Sequence, residues 1–474
     1  MTDPLHPEIC DAPATELARR LRTRELSARE VVGAHLERIE QLNPRLNAIV
    51  TLRPEQAMAA AAAADERLAR GEPVGPLHGL PMAHKDTHNT ADLPTTHGFP
   101  MLADYRPDHD DLSIERMRAA GVISVGKTNV PEFGAGSHTF NTLFGATRNP
   151  YDTTRSAGGS SGGTAAALAA GLQPLGEGSD MGGSIRNPAS FNNVVGLRPT
   201  PGRVPLWPNP LGWATQVVQG PMARSVSDVA LLLSVIAGAD PRDPISLTED
   251  PPAYGSRLTR DPRSLRVAWS PDLGGAVPVE PEVAQTVTAA AQVFTELGCT
   301  VARDCPDFTG ADDAFRVLRG WQMATVLGAA MGDHLDQLKP TLRGNVEYGL
   351  GLTAADLGRA EIRHTALFHR MREFFARYDV LLLPVSQLAP FPVDIEYPQQ
   401  IADVMMNDYL DWMKSAYYIS VTGCPALAVP AGFTTDGLPV GVQLVGPHCG
   451  EMQVLQAGYA FEQATGHGTR RPSW

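Results

Sequence analysis

Short apolar runs of β type alternate with helical stretches and glycine-rich turns between residues 71 and 240. The segment "DLSIERMRAAG" is typical of a helix that ends at Gly121, and the following "GVISVG" predicts a strand. The segment "SVSDVALLLSVIAG" predicts a buried helix with a serine at its start. Because such alternation is typical of proteins in which helices cover a sheet, we expect an α/β fold.

The first 70 residues are predicted to be helical. "SARE", residues 27–30, is a capping box, and "EQAMAAAAAADERLARG" is a strong helix-forming run that ends at Gly71. Near the other end of the chain, "YDVLLLPV" and "PALAVPAGF" predict late strands.

Composition narrows the classes of function. The net charge of −13 argues against a nucleic-acid partner, and no apolar run approaches the roughly 20 residues that span a bilayer. The start "MTDPLHPEIC" has neither a basic nor an apolar signal region. The 5 cysteines are scattered without CxxC spacing, which argues against a disulfide framework or a zinc site. We expect a soluble cytoplasmic protein with no membrane or nucleic-acid partner, no metal and no other cofactor.

The loop "RSAGGSSGGTAAAL", residues 155–168, could hold a phosphate, present a nucleophile or only turn the chain. A nucleotide-binding module is one alternative, because "GVISVGKT" matches the phosphate-loop pattern GxxxxGK[ST]. That pattern requires a strand before the first glycine and a helix after the Lys-Thr. The predicted order here is helix, glycine and strand, which argues against a phosphate loop.

The same loop satisfies GxSxG twice, as the nucleophile turn of a histidine-dependent serine hydrolase would. That interpretation needs a strand before the loop and a late histidine such as His448 or His467. The preceding "GATRNPYDTTRSA" has turn character instead. His84 and His88 have the spacing of helical metal ligands, but solvated surface is the simpler interpretation.

A third interpretation joins three segments. Ser160 and Ser184 lie 24 residues apart in glycine-rich turns, and a predicted helix over residues 164–171 follows the first turn. Its N-terminus would direct free N–H groups towards the serines. A serine needs a base, and a buried lysine can serve once its pKa is lowered. Lys85 follows the apolar "GLPM" and is one of only four lysines among the 39 basic residues, which makes it the candidate base.

These segments resemble the amidase signature family of serine hydrolases over residues 15–465. The matching segments are "GLPMAHKD", "GKTNVPEFG", "FGATRNPYDTTRSAGGSSGG", "GSDMGGSIRNPAS", "VGLRPTPGRVP", "GPMARSVSDVALLL" and "TGCPALAVPAGFTTDGLPVGVQLVGP". The resemblance implies one domain over residues 1–474, with a mixed central β-sheet flanked by helices on both faces. Within it, residues 1–70 would be N-terminal helices, 71–240 the catalytic core, and 241–474 the rest of the sheet and the helices of the substrate cleft.

The resemblance also implies a Ser–cis-Ser–Lys triad. Ser184 would be the nucleophile, Ser160 would follow a cis Gly159–Ser160 peptide and bridge Ser184 to Lys85, and Lys85 would be the base. Asp180 and Arg186 would frame the nucleophile turn. The oxyanion would be held by backbone N–H groups at Met181, Gly182, Gly183 and Ser184.

The substrate is predicted only from the residues expected to line the pocket. The family usually has Thr at the position of Met181 and Pro at that of Ala157, so the acyl pocket is expected to differ in shape. Ala135 and Gly136 are the candidate substrate-binding positions, with residues 397–418 as a second candidate wall. Small residues at 135 and 136 favour a bulky aryl amide or an aryl carbamate as substrate, as in urethanases of this family. We expect the protein to be a monomer or a homodimer. The alternative is the A subunit of a glutamine-dependent amidotransferase, which works in a complex.

Overall fold

Two β-sheets of three and eight strands, and two short ribbons, are found in the computed structural model, which describes residues 5–249 and 254–474. Residues 1–4 and 250–253, parts of the predicted segments 1–70 and 241–474, lie outside the described residues. The strands are β1 (Ile49–Leu52), β2 (Pro81–Lys85), β3 (Ile123–Thr128), β4 (Phe140–Asn141), β5 (Gly145–Ala146), β6 (Leu175–Asp180), β7 (Val195–Arg198), β8 (Val218–Ala223), β9 (Arg266–Trp269), β10 (Thr300–Arg303), β11 (Val380–Pro384), β12 (Gln400–Ile401), β13 (Val404–Met405), β14 (Ala426–Phe433) and β15 (Pro439–Val445).

The α-helices of the described residues surround these sheets. They are α1 (Pro7–Cys10), α2 (Ala14–Arg22), α3 (Ala28–Leu46), α4 (Pro54–Ala69), α5 (Leu112–Ala119), α6 (Gly162–Ala169), α7 (Arg186–Phe191), α8 (Val226–Ile236), α9 (Pro281–Glu296), α10 (Ala311–Met323), α11 (Ala329–Met331), α12 (Pro340–Leu350), α13 (Ala354–Arg377), α14 (Lys414–Ser420) and α15 (Glu451–Thr465). No described helix is both long and apolar enough to cross a bilayer.

The large sheet is mixed, as predicted. Its strand order is β10-β9-β11-β15-β14-β7-β8-β6. β9 pairs in parallel with β10 and β11, and the other neighbouring pairs are antiparallel. The small sheet has the order β1-β3-β2, with β2 parallel and β1 antiparallel to β3.

Helices pack on both faces of the large sheet, which confirms the predicted architecture. Successive residues of a strand point to opposite faces. Accordingly Leu382 on β11 belongs to a core shared with α8, α9 and α15. Its neighbours Leu381 and Leu383 belong to a second core with residues of α10, α13 and α14.

Local sequence signals account for several element boundaries. Ser27 and Glu30 form the predicted capping box of α3, and Ser225 caps α8 by accepting from the Asp228 N–H at 3.2 Å. The expectation that residues 1–70 are only helical is wrong at β1. Its β-branched "IVTL" pairs with the edge of β3, an interaction that local propensity does not reveal.

The two sheets meet where β2 and β6 end. β2 and β6 are both edge strands, and Lys85 and Asp180 are their last residues. The Lys85 N–H donates to the Glu177 carboxylate of β6 at 2.7 Å. This contact brings the predicted base beside the turn that follows β6.

Candidate active site

The Lys85 amine lies among three serine hydroxyls. Its Nζ is 2.8 Å from Ser160 Oγ, 2.9 Å from Ser161 Oγ and 3.0 Å from Ser179 Oγ, and the side chain is completely buried. Burial lowers the pKa of Lys85 to about 7, although the nearby carboxylates Asp180 and Glu177 act in the opposite direction. The amine is therefore able to exchange a proton near neutral pH.

Ser160 and Ser161 are equally close to the lysine but face different surroundings. Ser160 follows a cis Gly159–Ser160 peptide and lines the cavity described below. The Ser161 hydroxyl is buried against Gly178, where a Cβ atom would lie 2.5 Å from it. Of the pair, Ser160 is thus the serine that faces the cavity.

Ser184 lies in the turn between β6 and α7. It is half-buried and lines the same cavity as Ser160. The Ser161 N–H donates to the Ser184 carbonyl at 3.0 Å, which ties the serine loop to this turn. Within residues 5–249 and 254–474 the Ser184 hydroxyl forms no hydrogen bond, with Ser160 or any other residue, so it is free to rotate towards a ligand.

A buried ion cluster fixes the Ser184 turn. The Asp180 carboxylate accepts hydrogen bonds from Arg186 Nε at 3.1 Å and from Arg198 at 3.2 Å, and all three side chains are completely buried. Burial alone would raise the pKa of Asp180, but the charges of Arg186 and Arg198 hold it well below its usual range. Arg186 also donates to Ser420 Oγ at 2.6 Å. Asp180 and Arg186 therefore hold the turn and do not line the cavity.

The backbone amides of the turn fall into two groups. The Gly183 N–H donates to Asp180 at 2.9 Å, and the Ile185 N–H does so at 3.2 Å. The N–H groups of Met181, Gly182 and Ser184 have no acceptor in the described part of the chain. Gly183, predicted as an oxyanion donor, is thus already engaged with Asp180, and the uncommitted donors are the other three.

Gly183 also carries a backbone conformation that its neighbours require. Its φ is +110°, and a Cβ atom there would lie 2.5 Å from the Ala416 Cβ. We expect Gly183→Ala to displace Ser184 and to reduce both thermal stability and amide hydrolysis, with a destabilisation of about 1–3 kcal/mol. Chemical denaturation and anilide turnover measure the two effects.

Gly344→Ala is the matched control for this substitution. Gly344 lies inside α12, where an added Cβ meets nothing within 4 Å. This variant should keep its activity and gain slightly in stability. Equal losses in the two variants would contradict a special role for the Ser184 turn.

A cavity of about 340 Å³ opens above these serines. Its walls are mainly apolar and come from five regions: residues between 87 and 136, the two serine turns, residues 206–219, α10 with the π-helical turn after it, and Met413. The lining residues are Thr87, His88, His97, Asp111, Phe133, Gly134, Gly136, Ser160, Ser179, Met181, Gly182, Ser184, Leu206, Trp207, Pro208, Asn209, Pro210, Leu211, Ala214, Val217, Gln219, Phe315, Arg319, Gln322, Met323, Val326, Leu327 and Met413.

Only one of the two predicted substrate-binding residues faces this cavity. Gly136 lines it, whereas Ala135 is completely buried in a cluster with Phe99 and Leu327, and its carbonyl accepts from Lys339 at 2.7 Å. The prediction for Ala135 is therefore wrong in this structure, because adjacent residues of a turn point in different directions. Within the second predicted wall, residues 397–418, only Met413 reaches the cavity.

Sequence reasoning missed the contribution of α10. Phe315 and Arg319 lie one turn apart on this helix and both line the cavity. Arg319 is 5% exposed and donates to Met181 Sδ at 3.0 Å and to Tyr409 Oη at 2.9 Å. No described carboxylate lies within 4.0 Å of it. The i, i+4 pair was visible in the sequence, but nothing local connects α10 with the serine turns.

The alternative motifs lie elsewhere in the fold. "GVISVGKT" contains β3, whose Lys127 is completely buried and donates to Thr90 and Thr95, so the strand follows the first glycine instead of preceding it. His448 and His467 do not line the cavity. No described strand directly precedes the serine loop.

His84 and His88 are not surface residues. Both are buried and face the Glu177 carboxylate, with Nδ1 atoms at 3.5 and 3.3 Å from it. Among residues 5–249 and 254–474 there is no group of three or more side chains suited to hold a metal ion.

Comparisons with known proteins identify the family of this chain. The family model described as Amidase matches residues 30–455. An acylamidase of Rhodococcus erythropolis is 37% identical, with 97% of each chain covered. The A subunit of the glutamyl-tRNA(Gln) amidotransferase of Geobacillus thermodenitrificans is 36% identical, with 98% of this chain and 99% of the relative covered. The crystal structure of a bacterial aryl acylamidase of the amidase signature enzymes is 31% identical and superposes with a TM-score of 0.91, covering 99% of this chain and all of that one.

Proposed function

This chain belongs to the amidase signature family, and we propose that it is a serine-dependent amidohydrolase that cleaves the C–N bond of carboxamides through an acyl-enzyme on Ser184. The observation that carries the proposal is the completely buried Lys85 amine, 2.8 Å from the hydroxyl of Ser160, which lines the same cavity as Ser184. A neutral amine in contact with a serine is the base that a hydroxyl nucleophile needs.

The proposed reaction begins with a proton transfer through Ser160. Ser184 Oγ attacks the amide carbonyl carbon while its proton passes to Ser160 Oγ, and the Ser160 proton passes to neutral Lys85. The tetrahedral intermediate then loses the amine, which takes a proton back from the Lys85 ammonium through Ser160. Water then attacks the acyl carbonyl carbon while its proton passes through Ser160 to Lys85. The bond between the acyl carbon and Ser184 Oγ breaks, Ser184 Oγ takes the proton back through Ser160, and the carboxylic acid leaves. The first proton transfer requires the free Ser184 hydroxyl to turn towards Ser160 about its Cα–Cβ bond when substrate binds, because catalytic hydrogen bonds often tighten only in the complex.

The oxyanion of the intermediate is proposed to lie against the N–H groups of Met181, Gly182 and Ser184. These donors have no other acceptor in the described chain and are fixed by the ion cluster beneath them. Preorganised donors at the developing charge supply much of the rate enhancement of such enzymes. Gly183 supports the hole through its bond to Asp180 instead of donating to the substrate.

The substrate is proposed to be a bulky amide, with aryl amides and aryl carbamates as the expected classes. Phe133, Trp207 and Phe315 give the cavity aromatic walls beside the serines. Apolar walls with few polar groups are typical of sites that bind compact organic molecules. The similarity to an acylamidase and to an aryl acylamidase supports this choice.

An alternative function is glutamine hydrolysis within an amidotransferase complex. The similarity to the A subunit of a glutamyl-tRNA(Gln) amidotransferase favours it. That function requires partner subunits and glutamine as the nitrogen source, whereas we propose a monomer or homodimer that acts on free small amides.

One experiment tests both functions. The purified protein is incubated with a 4-nitroanilide, a matched aryl carbamate, a short aliphatic amide and L-glutamine, and its size is measured by chromatography. A serine-directed fluorophosphonate is applied in parallel and the labelled peptide is mapped. We expect turnover of the aryl substrates by the isolated protein and a label on Ser184 that is absent from Ser184→Ala.

Two results would contradict the proposal. A label on another serine would remove Ser184 from the nucleophile role. Turnover of glutamine alone would favour the amidotransferase function, and turnover of short aliphatic amides without aryl substrates would reject the aryl preference.

A further inference from the structure

Asp111 occupies a helix N-cap without acting as a cap. Asp at this position normally accepts a hydrogen bond from the first turn of the helix. At the start of α5 the Asp111 side chain makes no such bond. It accepts instead from Gln219 Nε2 at 3.2 Å, and both residues line the active-site cavity. The carboxyl group therefore faces the cavity instead of stabilising the first turn of α5.

The place of Gln219 fixes where this carboxyl lies. Gln219 on β8 is the cross-strand partner of Ser179 on β6. Side chains of directly paired residues stand on the same face of a sheet, roughly 5 Å apart. Because Ser179 Oγ is 3.0 Å from the Lys85 amine, Asp111 and Gln219 lie next to the catalytic cluster.

Four acceptor groups of the cavity lining make up what we call the Asp111 corner: the side chains of Asp111, Gln219, His88 and Thr87. The Asp111 N–H donates to the Asn89 carbonyl at 2.9 Å, which places Asp111 beside the segment that carries Thr87 and His88. Gln219 donates through Nε2, so its carbonyl oxygen remains an acceptor. His88 Nδ1 lies 3.3 Å from the Glu177 carboxylate, which places the ring proton there and leaves Nε2 with a lone pair. His88 Nε2 and Thr87 Oγ1 are buried and have no partner in the described chain.

No cation of the described chain pairs with the Asp111 carboxyl, since no Lys, Arg or His nitrogen lies within 4.0 Å of it. Lys127 acts on it only at longer range, because its amine is bonded to the His88 carbonyl, Thr90 and Thr95. His109 is likewise a longer-range neighbour. Burial raises the pKa of Asp111 to about 7, as expected for a buried carboxyl that has hydrogen-bond donors but no paired cation.

We propose that the Asp111 corner binds a protonated amino group of the substrate, so that the enzyme prefers amides or carbamates that carry an ammonium group close to the scissile bond. The inference rests on the proposed amidohydrolase function. An ammonium has three donors and no acceptor, which matches a set of acceptors that includes one carboxyl without a paired cation. Arg319, the unpaired cation on the α10 wall, repels the same group and so favours one orientation of the substrate.

Matched substrate pairs test the preference. One pair is the 4-nitroanilides of 4-(aminomethyl)benzoic and 4-ethylbenzoic acid, with the ammonium on the acyl side. The other is the acetamides of 4-(aminomethyl)aniline and 4-ethylaniline, with the ammonium on the amine side. At about pH 8, where such groups stay largely protonated, we expect the ammonium member of one pair to have a kcat/KM higher by about tenfold to a hundredfold.

The isosteric substitution Asp111→Asn should remove that preference. The ratio of kcat/KM for the ammonium substrate to that for its ethyl partner is expected to fall by about tenfold or more. Asp104→Asn is the matched control, because Asp104 is exposed on the preceding loop and does not line the cavity. No preference in the wild type, or a preference that survives in Asp111→Asn, would overturn the inference.

A binding measurement separates this inference from the proposed function and needs no variant. Titration calorimetry of the wild type with benzylammonium and with benzyl alcohol compares a cation with a neutral molecule of similar shape. We expect benzylammonium to bind at least about tenfold more tightly. Equal or weaker binding of the cation would overturn the inference, whereas binding without hydrolysis of any anilide would retain it and reject the proposed reaction.

Discussion

Replacing Lys85 with methionine is expected to lower kcat/KM for an anilide by about 10⁴-fold or more, because the loss of one member of such a catalytic unit costs nearly as much as the loss of all. Methionine fills a similar volume without an amine, so Ser160 would have no base to receive its proton. Steady-state kinetics measures the loss, and circular dichroism checks that the variant is folded.

The pH dependence of the wild type gives an independent signature of the same residue. Burial lowers the pKa of Lys85 to about 7, and only the neutral amine can accept a proton. We therefore expect kcat/KM to rise with pH up to about 7 and then to level off, and to fall about tenfold per unit below that value. A lysine with its ordinary pKa of 10.5 would instead leave activity rising through the alkaline range.

Lys127→Met is the matched control for both experiments. Lys127 is also completely buried, and burial lowers its pKa to about 8, but its amine contacts Thr90 and Thr95 and none of the active-site serines. This variant should keep the fall in kcat/KM below about pH 7. If that fall persisted in Lys85→Met and disappeared in Lys127→Met, the titration would belong to Lys127, and Lys85 would be removed from the proposed mechanism.

The sequence was most informative where function and local structure share the same few residues. The glycine-rich turns around Ser160 and Ser184 can be recognised as candidate site segments from their composition. Lys85 can be recognised as a candidate base because lysine is rare in this chain. The strands at β3, β11 and β14 are apolar enough to be predicted. The structure places Lys85 and Ser160 in contact, across 75 positions of sequence.

The rest of the site depends on contacts that no local pattern encodes. Ser179 contacts Lys85 only because β2 docks against β6, and Arg319 lines the cavity only because α10 packs beside the Ser184 turn. The error at Ala135 has the opposite origin. Two small neighbours were treated as one surface, although Gly136 lines the cavity and Ala135 is completely buried in a cluster with Phe99 and Leu327.

Replacing Asp180 with alanine is expected to have the largest effect on stability. The substitution leaves Arg186 and Arg198 completely buried without their carboxylate and removes the acceptor of the Gly183 N–H. Removing one partner of a buried ion pair costs about 3–5 kcal/mol because the remaining charge is uncompensated. We expect a loss of this size in the free energy of unfolding by urea, together with a loss of anilide turnover as the Ser184 turn relaxes.

Asp261→Ala provides the matched surface control, because Asp261 also pairs with an arginine, Arg263, at 2.9 Å, but both side chains are largely exposed. Solvent screens that pair, and the other loss is the bond from the Arg263 N–H to Asp261 at 3.1 Å, so the variant should lose about 1 kcal/mol or less and keep its turnover. If Asp180→Ala were as harmless as the control, the ion cluster would not hold the nucleophile turn. Stability that falls while turnover persists would show that Ser184 and its free amides keep their positions without Asp180, and the support assigned to this carboxylate would then be limited to folding.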